Sequence, residues 1–497
     1  MGIPSEILNV DRPTNTIVFC YGKNKDLYGV RERTGCVYKN GRRLPQNGKT
    51  IGHIVNLKYV PKIAETDLSP ISHSEIDLKE WGIYKFCDEQ SKYLLDELRK
   101  VYCEDDALKI YCIAMLRVCQ PNIKDYELQD AYLEGFISEI YPNVGLSKNT
   151  VSKFLNDLGK TYSRIVKYMK ERVKKTENHR LLIDGTLKSN ESEVNSFSDF
   201  SRKAKLKGSR DISILYCFDF DNKEPVCSKC FSGNMLDSVS YEAFLEEYNI
   251  TKGLIIGDKG FPSSCATDIF SKNTQLHYMN PLKRDSHYIK EHDLLTYDGQ
   301  LPGHETILYK KVFVEKDKKW LYSYKDTGQA HKEEYGWLKK IYGTKEGYLD
   351  EEYRSDSLLF GTIVLECDLD LTPLEAYQGY DARWEIELVM RYYKQACEFD
   401  ETRVHDDYSV IGSEFCCFIA TVMTYRILNK LEKNKILLDM TYKKFMKILR
   451  KAKKVRLEEN GEWKLVKLLP SYTAVLQQAE LLPQPEKKKR GRKKKAV

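Results

Sequence analysis

Two short apolar runs constrain this chain more than any other feature: LLI, which ends at Asp184 before Gly185, and LIIG, which ends at Asp258 before Lys259 and Gly260. Uninterrupted apolar runs of this length read as strands buried on both faces, and such strands belong in a sheet covered by helices. The surroundings fit. HRLLIDGT is one strand, and ISILYCFDF and EPVCSKCFS are two more, joined at Asp221 and Asn222. SVSYEAFLEEYN reads as a helix, GLIIGDKG as a strand and sharp turn, SSCATDIFSKN as a helix and QLHYMNPL as a strand. This alternation predicts a mixed α/β layer fold. In open α/β sheets the carboxyl ends of the strands border the ligand crevice, and both aspartates stand there. A lone carboxylate is costly to bury and calls for a metal or a cation beside it. The plainer alternative is that each Asp opens a turn next to glycine.

The rest of the chain surrounds this pattern. At 497 residues it has length for about three domains. Residues 1–60 hold short alternating runs (TIVFCYG, YGVRER, HIVNLKYV) that predict a small β-rich unit. From about Ser74 to Lys175 the period is helical. Within it, Leu146 to Gly159 has Ser147 at the N-cap and Val151, Leu155 and Leu158 on one face. That helix could enter a major groove with Lys148, Asn149 and Lys153, or be an ordinary amphipathic helix. Residues 283–355 are polar, with a hairpin pattern in ETILYKKVFV, EKDK and KWLYSYKD that predicts a β-rich insertion. LLFGTIVLE is a further strand. Thr372, Pro373 and Glu375 then open a helical stretch running to about Leu469.

No run of apolar residues reaches the roughly 18–20 needed to cross a bilayer, the longest being near Phe415 to Met423. The N-terminus has no basic start followed by an apolar segment, so the protein is expected to stay in the cell, without a membrane partner. Its fourteen cysteines are then expected as thiols. Cys227 and Cys230 in CSKC have zinc-like spacing but no companion pair, which favours buried thiols. His405 in RVHDD reads as a helix-start or surface residue.

A second polar pattern lies in YDARWEIELVMRYYKQ. Tyr380, Glu387 and Lys394 recur every seven residues, and Arg383 is four before Glu387, so on a helix they form one stripe. Surface salt bridges would explain such a stripe equally well.

Together, Asp184 in LLIDGT, Asp258 in IIGDKGF and the spacing Y-x2-R-x3-E-x6-K from Tyr380 to Lys394 resemble the catalytic core of bacterial DDE transposases of the insertion sequence 4 group. EPVCSKCFSGNMLDS, HYMNPLKRDS and RVHDDYSVIGSEFCCFIATVMTYRIL extend the resemblance over about 175–430. It implies a ribonuclease H-like core over 176–282 and 356–430, interrupted by the β-rich insertion 283–355. Before the core would come a small β-rich unit (1–70) and a helical region (71–175) that could bind DNA ends. After it would come a C-terminal helical region (431–482) and a basic tail (483–497). It also implies that Asp184, Asp258 and Glu387 hold two Mg2+ ions, or Mn2+, for phosphoryl transfer on DNA. Arg383, Lys394 and Tyr380 would bind phosphates flanking the cut. Some members of the group pass through a hairpin and stabilise a flipped base, for which Trp320 in KKWLYSYK is the candidate, with hairpin packing as its other explanation. Lys283 and Arg284 are candidate DNA-backbone contacts.

The resemblance thus implies a transposase that binds the terminal inverted repeats of its element as a homodimer on double-stranded DNA, then cleaves and joins strands by a cut-and-paste route. It would be a cytoplasmic, nucleoid-associated protein of a bacterium. A catalytically silent DNA-binding derivative and a metal-dependent nuclease without strand transfer share the same residues. The charge bears on where DNA is held. The formal balance is +7, yet Lys487 to Lys489, Arg490, Arg492 and Lys493 to Lys495 supply eight cations, so residues 1–486 carry −1. The tail, with Arg490 and Arg492 around Gly491, is expected to bind DNA non-specifically, and the body through patches near the tetrad and the insertion.

Overall fold

The apolar runs become the inner strands of a large mixed sheet. The computed structural model describes residues 3–484 except 23–26, 40, 63–76, 191, 201–209, 236, 259–262, 343–349, 384–403 and 458–460. The chain divides into two units, Met1–Asp77 with Val455–Lys464, and Leu78–Lys454 with Leu465–Val497. In the first, strands Thr16–Tyr21, Leu27–Lys39, Arg42–Val55 and Lys58–Pro61 form an antiparallel sheet in sequential order. Val18, Val30 and Ile54 make its small core.

The second unit contains the main sheet. Its principal strands are β1 (Arg180–Ser189), β2 (Arg210–Asp219), β3 (Glu224–Ser232), β4 (Lys252–Gly257), β5 (Gln275–Pro281), β6 (Ile307–Val314), β7 (Lys319–Asp326) and β8 (Thr362–Cys367). Their spatial order is β6-β7-β8-β5-β4-β1-β2-β3, with short strands Gly299–Gln300 beside β6 and Asp199–Phe200 beside β2. β4 runs parallel to both β1 and β5, and the other pairs are antiparallel. β1 and β4 are central, which explains why their sequences lack polar alternation.

Register ties the sheet together. Trp320, Cys367, Met279, Ile256, Leu182 and Phe218 are successive partners from β7 to β2. Side chains of paired residues share a face, so this row defines one side of the sheet. Because strand side chains alternate, Asp184, two beyond Leu182, lies on that side as well.

Helices α1 (Gly82–Arg99), α2 (Glu104–Cys119), α3 (Lys148–Lys160) and α4 (Tyr162–Val173) precede the sheet; α5 (residues 373–383) and α6 (Asp407–Lys433) follow it. They share one continuous hydrophobic core with the sheet. Among the described residues α6 is the one helix long and apolar enough to cross a membrane by length and composition, although no contiguous apolar run announces it. Here 89% of its apolar window is buried inside the protein, as expected for a core helix that is apolar nearly all round. α3 crosses it closely. A Cβ on Gly159 would lie 1.9 Å from the Tyr408 carbonyl oxygen, and one on Gly412 2.0 Å from that of Leu155.

Helix starts follow their local chemistry. The Ser147 hydroxyl accepts from Thr150 N–H at 3.4 Å. At α5, Glu375 N–H donates to Thr372 Oγ1 (3.2 Å) while Thr372 N–H donates to Glu375 Oε2 (2.9 Å), a reciprocal cap. Residues 283–355 contain more helix than a β-rich insertion suggests. After the β6–β7 hairpin, Asp326 Oδ1 accepts from Gly328 and Gln329 N–H, starting helix Thr327–Tyr342, and a second helix covers Asp350–Ser357. The hairpin itself extends the main sheet through β7 and β8.

Candidate active site

The site forms where β4 ends beside the middle of β1: Asp258 follows the last residue of β4, whereas Asp184, expected at a strand end, lies within β1, which continues to Ser189 because its second half keeps pairing with β2. β4 and β1 pair in parallel with Gly257 beside Ile183, so the next residues, Asp258 and Asp184, follow each other across neighbouring strands spaced roughly 4.8 Å apart. Both are partly exposed, in contrast to the fully buried Leu182, Ile183, Ile255 and Ile256 before them. Asp184 Oδ1 accepts from Gly185 N–H at 2.9 Å.

Two helices flank the pair on the same side of the sheet. α5 docks over β4 and β5 at Gly379, where an added Cβ would come 3.0 Å from Met279 Cε and 3.8 Å from Ile256 Cδ1. One turn on, Arg383 reaches Asp258, with Nη1 3.6 Å from Oδ1, and its guanidinium lies 5.3 Å from the Tyr380 ring centre. α6 docks over β1 and β2. Lys188, on β1 and facing as Asp184 does, forms a buried ion pair with Glu414 at 2.5 Å. Burial works against its charge, but Cys417 and Glu414 outweigh burial and hold its pKa above the ordinary lysine value. Further along α6, the Tyr425 ring packs against that of Phe218 in a tilted arrangement, with ring centres 5.6 Å apart. A lone Glu in SVIGSEFCCFIATV and a Lys on the Asp184 face of β1 were the available signals for this pair.

The structure therefore brings together Asp184, Asp258, Tyr380 and Arg383. Glu387 and Lys394 lie outside the described residues, as do Arg490 and Arg492. Asp184 and Asp258 supply oxygen donors, the chemistry that a hard divalent cation selects. Their adjacent, partly exposed positions on neighbouring strands fit such an ion.

The chain re-enters the described region beside this site. Asn190 Nδ2 donates to the Val404 carbonyl (3.3 Å) and Ser192 Oγ to that of His405 (3.1 Å). His405 is exposed, and Asp406 caps α6 by accepting from Ser409 N–H.

Other candidates have settled surroundings. Trp320 is half-buried in an inner strand, its ring 4.8 Å from that of Phe313 and capped by Lys311 Nζ at 4.2 Å. It is three strands from β4, roughly 14 Å at ordinary spacing. Lys283 is exposed, while Arg284 pairs with Glu333 at 2.7 Å. Arg284 also lines a cleft of about 300 Å3 with Tyr377, Tyr380 and Asp381. Cys227 and Cys230, three apart on β3, point to opposite faces. Lys148, Asn149 and Lys153 are exposed on α3, and a groove of about 550 Å3 is lined by Asn149, Lys153, Lys109 and Arg164.

Among the described residues one group of potential ligands clusters within 4.8 Å: His179, Asp219 and Asp221. Its oxygens are already committed. Asp219 accepts from His179 Nδ1, Asn222 Nδ2 and the N–H groups of Asp221 and Asn222. Asp221 accepts from the Arg180 backbone and guanidinium. These bonds fasten the β2–β3 turn to the start of β1, four residues before Asp184.

Residues 176–410 match the family model of the transposase DDE domain. Among solved structures, the chain is similar to a piggyBac transposase synaptic complex with hairpin DNA, at 13% identity over 74% of this chain and 79% of that chain, with a TM-score of 0.37. It is also similar to a Mos1 transposase paired-end complex with a left transposon end, at 12% identity over 31% of this chain and 58% of that chain, with a TM-score of 0.15. No curated protein matches the chain.

Proposed function

We propose that this chain, which carries a transposase DDE domain over residues 176–410, is a DNA transposase of the insertion sequence 4 type with a ribonuclease H-like catalytic core. The carrying observation is the placement of Asp184 and Asp258 side by side on neighbouring parallel strands, Asp184 within β1 and Asp258 just past the end of β4, with Arg383 reaching Asp258. The sheet order supports the core assignment: β1, β2 and β3 form an antiparallel meander, and β4 inserts between β1 and β5 in parallel.

In this reading Asp184, Asp258 and Glu387 hold two Mg2+ ions. Bound there, the metals supply charge neutralisation and an activated oxygen nucleophile for in-line phosphoryl transfer. The protein's own groups position DNA. Arg383 can offer two guanidinium N–H groups to a phosphate, and its pairing with Asp258 keeps that fork beside the aspartates. Tyr380 offers a hydroxyl on the same helix, and Lys394 a further cation. The ends would be gripped by the helical region. Residues 146–175 carry nine Lys and Arg against Asp157 and Glu171, and Lys153 and Arg164 border the groove beside α3. A homodimer would bridge paired inverted repeats, cutting each to a 3′-OH that then attacks target DNA. In the cell the protein would work at the bacterial nucleoid.

Trp320 is less suited to hold an extruded base than the sequence suggests, because Phe313 and Lys311 already occupy its surroundings.

The test uses the full-length protein, Mg2+ and DNA carrying the sequences that flank its reading frame. Nicks with 3′-OH ends at matching inverted repeats, followed by joining to a second DNA, support transposition. Cleavage without joining would make it a nuclease, and binding without cleavage a silent derivative.

A further inference from the structure

α6 runs along β1 and β2 in a fixed register. Glu414 meets Lys188, Thr421 contacts Tyr216, and the Tyr425 ring packs at a tilt against Phe218. One helical turn from Thr421 to Tyr425 advances about 6 Å, close to the two-residue step from Tyr216 to Phe218. Tyr216 is the cross-strand partner of Asp184, and Phe218 that of Leu182. Tyr425 therefore stands over the strand row next to Asp184.

Its hydroxyl, like that of Tyr102, is buried. Tyr425 is 3% exposed, and its Oη has no hydrogen-bond partner among the described residues. Packing does not require that oxygen, since a phenylalanine would make the same contact with Phe218. A buried hydroxyl without a partner is costly to keep, so its retention needs an explanation. A tyrosine hydroxyl is protonated at neutral pH and can donate.

We propose that Tyr425 is a positioning residue for Asp184: its hydroxyl donates to the Asp184 carboxylate when that carboxylate turns to hold a divalent cation. The inference rests on the metal-dependent reading of the site. Asp184 accepts from Gly185 N–H, and a donor from the covering helix would help to fix the plane of the carboxylate. Groups that orient metal ligands in this way commonly govern cation affinity by about 10-fold to 100-fold. Each aspartate then has its own helix-borne partner, Arg383 on α5 for Asp258 and Tyr425 on α6 for Asp184.

The experiment compares the wild-type full chain with Tyr425→Phe and Asp184→Asn, by calorimetric titration with Mn2+ alone and by thermal unfolding in a chelator. Tyr425→Phe is expected to weaken Mn2+ binding by about tenfold or more while its melting temperature without cation stays level or rises, because an unpartnered buried hydroxyl has been removed. Unchanged Mn2+ affinity overturns the proposal. So does a lower melting temperature without cation, which would make the hydroxyl a structural group. If the wild type shows no Mn2+ binding that Asp184→Asn abolishes, the metal reading of the site fails and this inference falls with it; Asp184-dependent binding indifferent to Tyr425→Phe overturns the inference alone.

Discussion

Replacing Lys188 by Met should loosen α6 from the strand that carries Asp184. Lys188 Nζ lies 2.5 Å from Glu414 Oε2, and the two side chains are 2% and 6% exposed. At an effective dielectric near 20 that separation gives an attraction of roughly 6–7 kcal/mol. Desolvation of both ions offsets most of it, so the pair adds little over a well-packed apolar pair. Lys188→Met removes the attraction but leaves Glu414 buried, which costs about 3–5 kcal/mol. Lys188→Met with Glu414→Leu removes both ions and should return to within about 1–2 kcal/mol of wild type. Native-state hydrogen exchange of α6 amides reads this opening energy without requiring the whole chain to unfold in one step. Protection should fall by about two to four decades in the single variant and largely recover in the double. A single variant that loses less than about 1 kcal/mol would refute the reasoning, as would a double variant no better than the single.

Gly412→Ala should lower the melting temperature, since its Cβ would stand 2.0 Å from the Leu155 carbonyl oxygen and the helices must part, at about 1–3 kcal/mol or more. Gly145→Ala, whose Cβ would meet Thr150 Cγ2 at 3.9 Å, is the control and should shift stability by no more than about 0.5 kcal/mol. Glu97 supplies a pH test. Burial raises its pKa, but Arg172 at 2.7 Å and the paired Lys175 outweigh burial and leave it lowered. Its contribution is present above the unfolded carboxylate pKa of about 4.5 and is lost as pH falls through the lower folded value. Glu97→Gln should thus be less stable by about 1.5–3 kcal/mol at pH 7, and denaturation curves should converge with wild type in acid. Deleting residues 487–497 removes eight cations and should reduce the salt slope of non-specific DNA binding by up to about 7, with cleavage chemistry retained.

Local features were legible in the sequence because local chemistry determines them. The LLI and LIIG runs become β1 and β4, Ser147 caps α3, and Thr372 with Glu375 opens α5. What depends on distant pairing was not legible. No periodicity tells that β4 enters between β1 and β5, or that the 307–326 hairpin joins the main sheet through β8. Lys188 and Glu414 are 226 residues apart, and their partnership exists only once α6 lies on β1. α6 itself escaped a count of consecutive apolar residues because Ser413, Glu414, Thr421 and Thr424 interrupt it, yet all four are buried. Two of them return their hydroxyls to the helix: Thr421 to the Cys417 carbonyl and Thr424 to that of Ala420. Trp320 was read from its hairpin alone, and its half-buried position follows from β8 closing over the other edge of β7.

The central claim is that Asp184 and Asp258 act as one unit in strand cleavage. Mg2+-dependent formation of 3′-OH ends should be measured on end-bearing DNA for Asp184→Asn, Asp258→Asn and the double variant, with DNA binding measured in parallel. Each single variant should bind DNA as wild type does and cleave about a thousandfold more slowly or worse, and the double should be no slower than either single. Cleavage above about a tenth of wild type in either single variant, or losses that multiply in the double, would contradict it.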